Sequence, residues 1–308
     1  MPESSPISIV IITYNRAADM LELAQNIVGL AHWELLREVV IVNNRSTESY
    51  QALENFIQGH PEVPFRYLMA EKNLGVSAGR NFAIRQSSAP TLVFLDDDAV
   101  FQNKDALLQV QKVFSEKDAG IDRPVGIAGF KVFYHSTMQM QQTAFPHKQF
   151  AAKKDEHHFD TYYFAGCAHA IRREVFEKVG YYPESFFYGM EEYDLSYRAL
   201  NAGYKIVYDD RVVVLHKESA AGRLTNRDKL RGMWVNKSIV AYKYLPEKYF
   251  YSTAFLWSLE YLKKTGFDFS GWAKGWKQVK KIPAEQTRQP LSSNTLKYLE
   301  KVNARLHY

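Results

Sequence analysis

Four short runs of almost wholly apolar residues, at 7–13, 38–43, 65–69 and 91–95, are separated by stretches with helical spacing at 16–30, about 47–58, and 77–87. A strand without a polar alternate has both faces buried, and strands of that kind that alternate with helices pack as a parallel sheet covered on both sides. The chain is therefore expected to be α/β, and ligands of such sheets gather beyond the carboxyl ends of the strands. Three polar clusters fall at those ends: Thr13-Tyr14-Asn15-Arg16, Asn43-Asn44-Arg45-Ser46 and Asp96-Asp97-Asp98.

Further along, the pattern weakens. Residues 125–164 read as irregular and Gln-, Lys- and His-rich, which suggests a mobile loop. Order is expected to return with a strand at 162–171, helices at 173–179 and 191–202, and two strands at 205–208 and 212–215. Beyond His216 the spacing is helical to the end. The 308 residues, 46% hydrophobic, suffice for a large core. The single cysteine, Cys167, excludes an intramolecular disulfide and a cysteine-based zinc site, which fits a reducing compartment. The first residues lack the charge and apolar run of a signal peptide, and no run approaches the roughly 20 residues of a membrane span. A cytoplasmic protein, at most peripheral at the inner membrane face, is expected.

Charge is unevenly spread. From Lys217 onward there are 18 Lys/Arg against 7 Asp/Glu, and the rest of the chain has 21 against 27. A basic tail on an acidic body points to an anionic partner. No nucleic-acid motif is present, so an anionic membrane surface is the expected one. On a helix, Trp272, Trp276 and Val279 would share one face, with Lys274, Lys277, Lys280 and Lys281 on the other. That arrangement suits either an interfacial helix or a stripe packed on the protein's own core.

Three sets of residues carry chemistry. Adjacent carboxylates at a strand end repel one another unless a cation relieves them, and hard cations such as Mg²⁺ or Mn²⁺ favour that oxygen set. His216, closing the run 212–215, could complete an Asp/His site or be an ordinary edge histidine. Glu191-Glu192 with Asp194, at the start of a helix, could simply favour the helix dipole, or could supply a general base. The run Gly75-Val76-Ser77-Ala78-Gly79 matches a nucleophile elbow, but Glu71-Lys72-Asn73 separates it from its strand, so Ser77 reads better as a helix cap. Neither a dinucleotide fingerprint nor a Walker loop is present.

In order, Ile9–Arg16, Val39–Thr47, Asn73-Leu74-Gly75 with Gly79-Arg80-Asn81, Phe94–Asp98, Phe164–Cys167, Glu191–Arg198 and His216 together resemble inverting glycosyltransferase family 2, over about two-thirds of the chain. The resemblance implies a GT-A fold: a Rossmann-like, mostly parallel central sheet flanked by helices, here with a C-terminal helical extension. It implies a catalytic domain over 1–216, with a nucleotide-binding half to about 98 and an acceptor half to 216, and a basic helical region over 217–308. It further implies transfer of a hexosyl or deoxyhexosyl group from a nucleotide diphosphate donor to the hydroxyl of a glycan or lipid-linked acceptor, in polysaccharide or glycolipid assembly. Thr13, Tyr14, Asn15, Arg16, Asn43 and Arg80 would line the donor pocket. Asp96 and Asp97 would face the nucleotide, and Asp98 and His216 would hold Mn²⁺ or Mg²⁺. Glu192 stands where the base is usually an aspartate, which leaves Glu191 as the alternative. Asn43 replaces a frequent aspartate, and a uridine or thymidine donor is expected. A non-catalytic sugar-nucleotide or glycan-binding protein is the alternative reading. Asp194 and Arg198 would brace the helix start.

Overall fold

The computed structural model of the chain describes residues 6–115, 123–219 and 226–306. Its first half alternates as expected: β1 (Ile7–Thr13), α1 (Ala17–Val28), β2 (Leu36–Asn43), α2 (Gln51–Gly59), β3 (Phe65–Met69), α3 (Gly75–Gln86) and β4 (Thr91–Asp96). The strands β3, β2, β1 and β4 lie side by side and parallel. The reason is visible in the side chains. Ile9, Ile11, Val39, Ile41, Val93 and Leu95 point to one face, against Met20, Leu23 and Ile27 of α1. Val10, Val40, Val42, Leu92 and Phe94 point to the other, against Ala83 and Ile84 of α3. Alternate residues of each strand thus feed two separate cores.

The sheet continues in mixed sense. After β4 come β5 (Ala99–Phe101), α4 (Ala106–Ser115), β6 (Val125–Tyr134), the one-turn α5 (Phe150–Lys153), β7 (His158–Thr161), β8 (Ala168–Arg172), α6 (Arg173–Val179), α7 (Glu191–Asn201) and β9 (Lys205–His216). The order across the sheet is β3-β2-β1-β4-β8-β6-β9-β5, with β7 also paired to β9.

Three expectations fail in this half. Residues 125–134 are a central strand rather than loop, paired with β8 and β9. Its glycines hid it: a side chain at Gly126 would press on the Tyr204 ring, 2.9 Å away, and Gly129 lies against Phe164. The strand expected at 162–171 shrinks to Ala168–Arg172, the stretch that pairs antiparallel with β4. The two strands expected at 205–208 and 212–215 are one, with a register irregularity opposite Phe130 and Lys131, where Asp209 turns inward to accept from Arg211.

Ser77 is likewise no cap. α3 begins at Gly75, whose amide donates to Asn73 Oδ1, and Ser77 is buried inside the first turns. Gly75 has φ +74, and a side chain there would strike Phe187.

The tail is helical, as expected: α8 (Asn226–Tyr244), α9 (Glu247–Thr265), α10 (Phe269–Val279), the short α11 (Ile282–Glu285) and α12 (Ser293–Lys301). Trp234, Phe250, Trp257, Tyr261, Val279 and Ile282 form its own core. The Trp272–Trp276–Val279 stripe belongs to that core. Val279 is buried, and Trp276 meets Trp234 edge-on with centroids 5.5 Å apart. Gly275 is needed there, because a methyl would overlap the Trp234 ring. The tail also grips the sheet half. Asn236 Nδ2 donates to the carbonyls of Tyr188 and Gly189, and Lys243 Nζ and Tyr244 Oη each donate to Asp194 Oδ1 at 2.7 Å. Among the described residues no helix is long and apolar enough to cross a membrane.

Candidate active site

Strand register brings the first residues together. Thr13 is level with Asn43, and Ile12 with Asp96, so the ends of β1, β2 and β4 share one edge. β4 stops at Asp96; Asp97 and Asp98 form the turn into β5. The pairing of Ala99 with His216 then sets the end of β9 beside Asp98. The result is that Asp96, Asp98 and His216 offer ligand atoms all within 4.8 Å of one another. His216 Nε2 lies 3.3 Å from Asp98 Oδ1, and its Nδ1 donates to Gln141 Oε1 at 2.9 Å. Burial alone would lower the His216 pKa, but its close neighbours Asp98 and Cys167 and the charge of Asp96 push it up to about 11. Burial works against the Asp98 charge, and His216 with Arg16 more than offsets it, holding Asp98 below the usual carboxylate range.

This set fits a divalent cation. Asp98 Oδ1 is buried without a hydrogen-bond partner despite its closeness to His216, an open lone pair in an acidic site. Two carboxylates and one imidazole suit Mn²⁺ or Mg²⁺. Asp98 Oδ2 accepts from the Ser219 amide at 2.7 Å, which fixes the other oxygen.

Asp97 faces away from this set. Its Oδ1 meets Arg16 Nη1 at 2.7 Å, and burial pushes its pKa up to about 7 against the pull of Arg16 and Thr13. Arg16 also reaches Asp98 Oδ2 at 3.4 Å and donates to the Ser219 carbonyl. Asn15 and Asn43 tie neighbouring loops to one another. Asn15 Oδ1 accepts from the Thr47 amide, and Asn43 bonds Tyr67 and the Ser46 amide. Thr13 shares a hydrogen bond with Tyr50, and Tyr14 is half-buried.

Arg80 is the hub of the site. α3 carries its guanidinium, with the side chain only 5% exposed, into a ring of acceptors. These are the Gly166 carbonyl at 2.8 Å, Asp96 Oδ1 at 3.2 Å, and Oε1 of Glu191 and of Glu192, each at 3.4 Å. The three carboxylates raise its pKa although burial works against the charge. Arg80 thereby joins the acidic end of β4 to the acidic start of α7.

The two glutamates differ. Glu191 is buried, one of its oxygens has no hydrogen-bond partner, and burial together with the charge of Glu192 pushes its pKa up to about 8. Glu192 stays partly open, its side chain 16% exposed. A methyl at Gly166 would overlap Glu192 Oε1, so that glycine makes room for the carboxylate. Asp194 and Arg198 brace the helix as expected: Arg198 donates to Asp194 and to the carbonyls of Val179, Gly180 and Tyr181.

Sequence reasoning missed Gln141, Tyr50 and Ser219. Gln141 sits in the stretch read as loop, and no spacing marks it as the orienter of His216. Gly166 lay within a quoted motif, but only its neighbour Glu192 explains it.

Comparison with known proteins agrees with this geometry. The pattern of the family described as glycosyl transferase family 2 matches residues 8–180, more than half of the chain. An uncharacterised protein of Haemophilus influenzae is 29% identical over 178 residues, 58% of this chain and 92% of its own length. The O-antigen chain rhamnosyltransferase WbaN of Salmonella anatum is 26% identical over 60% of this chain, which spans only 58% of WbaN. Among solved structures, the mannosyltransferase PcManGT of Pyrobaculum calidifontis, in complex with GDP-Man and Mn²⁺, superposes with a TM-score of 0.60 at 17% identity, over 96% of this chain and 78% of that one. Residues 1–349 of S. aureus TarS superpose at 0.62 with 15% identity, over 90% and 80%. The chain belongs to glycosyl transferase family 2 and has the GT-A fold.

Proposed function

We propose that the protein is an inverting, metal-dependent glycosyltransferase that moves a hexosyl or deoxyhexosyl group from a nucleoside diphosphate sugar to an acceptor hydroxyl. The observation that carries this is the Arg80 bridge. It sets an Asp96–Asp98–His216 cation site and a partly open Glu192 on either side of one guanidinium. The halves to about 98 and from 99 to 216 would supply donor and acceptor sides respectively. The S. anatum relative is named a rhamnosyltransferase and one of Haloferax volcanii a hexosyltransferase, in line with sugar transfer during glycan assembly. Structural neighbours carry GDP-Man with Mn²⁺ or UDP-GlcNAc, which fits a diphosphate donor.

In this reading Glu192 accepts the proton of the acceptor hydroxyl, whose oxygen forms a bond to the sugar C1. The bond from C1 to the diphosphate oxygen breaks on the opposite face, and that oxygen keeps the electron pair. A divalent cation held by Asp96, Asp98 and His216 would neutralise the departing diphosphate. Burial and the neighbouring Glu192 hold the Glu191 carboxyl above the usual carboxylate range. Burial and a raised pKa make Glu191 the poorer base at neutral pH.

The test is calorimetric titration of UDP, dTDP, GDP and CMP, each with and without Mn²⁺, followed by turnover of E192Q. Metal-dependent binding of one nucleoside diphosphate is expected, a uridine or thymidine one first. E192Q should keep that binding and lose on the order of 10²–10⁴-fold in kcat. Near-normal E192Q turnover would move the base to Glu191. Binding without turnover in the wild type would make the protein a sugar-nucleotide-binding module.

A further inference from the structure

β8 carries a histidine that the proposed chemistry leaves idle. Its antiparallel register on β4 sets His169 opposite Phe94, two residues before Asp96. The imidazole is sealed from water, stacked on the Phe94 ring with centroids 4.8 Å apart and tilted against Phe164 at 4.5 Å. A polar ring is tolerated in such a place only when its nitrogens are satisfied. Both are. Nδ1 donates to the Ala165 carbonyl at 3.0 Å, which leaves Nε2 to accept from the Tyr182 hydroxyl at 3.2 Å. Burial and the charge of Arg80 hold the His169 pKa well below the ordinary histidine value, so the ring keeps this form with one donor and one acceptor.

Both partners lead to Arg80. Ala165, Gly166 and Cys167 run into β8, and their successive carbonyls are each engaged. Ala165 accepts from His169, Gly166 from Arg80 Nη2 at 2.8 Å, and Cys167 from the Asp96 amide at 2.9 Å. Gly166 also leaves Glu192 its room. On the other side, the Arg80 guanidinium lies over the Tyr182 ring, 5.8 Å from its centroid. The Tyr182 backbone is clasped by Asn81, the residue after Arg80: its amide donates to Asn81 Oδ1, and Asn81 Nδ2 donates to its carbonyl. The chain of contacts therefore closes on itself, from Arg80 through Gly166, Ala165, His169 and Tyr182 back to Arg80. A turn of the Ala165–Gly166 peptide would shift the Arg80 acceptor and the wall beside Glu192 together.

We propose that His169 is a positioning residue for the transfer reaction. Holding the Ala165–Gly166 peptide with one nitrogen and Tyr182 with the other, it fixes Arg80 from two sides, and through Arg80 the placing of Glu192 relative to Asp96. The inference rests on the sugar transfer proposed above, with Glu192 as the base.

The experiment compares H169F, which keeps a ring between Phe94 and Phe164 and deletes both hydrogen bonds, with Y182F, which deletes one hydroxyl. F176L is the packing control: Phe176 meets the Phe94 and Tyr182 rings but lies outside the polar chain. Misplacing a reacting group by about 1 Å costs on the order of 10²-fold, so kcat should fall about 10–100-fold in H169F, with nucleotide affinity within about two-fold of wild type. Y182F should lose less, and H169F/Y182F no more than H169F, because both changes break the same chain. F176L should lower Tm and keep kcat. Wild-type kcat in H169F, or a loss in F176L as large as in H169F, overturns the proposal. Thermal melts carry the test without turnover. The Tm losses of H169F and R80M should depart from their sum in the double variant, and strictly additive losses overturn the proposal as well. A wild-type protein that transfers no sugar would sink the transfer reading, while the melts would still decide whether His169 holds Arg80.

Discussion

Replacing Arg80 with methionine tests the hub directly. The guanidinium is nearly sealed from water and touches Asp96, Glu191, Glu192 and the Gly166 carbonyl, all within 3.4 Å. Removing one member of a buried ion cluster costs about 3–5 kcal/mol, because the remaining charge is left uncompensated. For a chain of 308 residues that corresponds to a fall in Tm of about 5–8 °C. The cost should depend on pH through Glu191. Its folded pKa of about 8 lies above its ordinary value of 4.5, so the native state holds this proton more tightly than the unfolded chain. The contribution of Glu191 to stability is therefore fully present below pH 4.5, falls as pH rises towards 8, and levels off above it. Without Arg80 the carboxyl is pushed higher still, and stability keeps falling past pH 8. Thermal melts at pH 6 and pH 9 should then show a larger R80M deficit at pH 9, and the extra loss should vanish in the E191Q background. An R80M deficit of the same size at both pH values and in both backgrounds would refute the coupling of Glu191 to Arg80.

Two further changes probe the flanks of the site. Q141A leaves His216 Nδ1 without its acceptor, and Mn²⁺-dependent nucleotide binding should weaken about 10–100-fold in calorimetry while the melting curve barely moves. G166A forces Glu192 aside, and kcat should fall on the order of 10²-fold with nucleotide affinity kept, as steady-state kinetics would reveal.

The first four strands were legible because they are continuous apolar runs, with polar residues gathered where those runs stop. The parallel register then did what such a sheet must do, setting Thr13, Asn43 and Asp96 on one edge. β6 was not legible. Its glycines answer to Tyr204 and Phe164, which are distant in sequence, so no local pattern announces them. The same limit hid Gln141, whose role exists only once β9 delivers His216. The different burial of Glu191 and Glu192 also lay outside sequence, since adjacent glutamates differ only in which way the helix turns them. Conversely, the Trp272–Trp276 helix was correctly seen as two-faced, but periodicity cannot say whether an apolar face meets protein or something else.

Asp194 carries one more consequence. It sits on the helix that presents Glu192, yet two of its three side-chain partners, Lys243 and Tyr244, come from α8. The stretch after His216 is thus a foundation for the helix that carries Glu191 and Glu192 and not an annex to it. A chain cut at residue 217 would keep every motif of the family and still lose its footing, with a buried carboxylate stripped of two donors and the sheet-side core of α8 laid open. Truncation experiments on this protein would accordingly score the tail as essential to the site although none of its side chains need enter it.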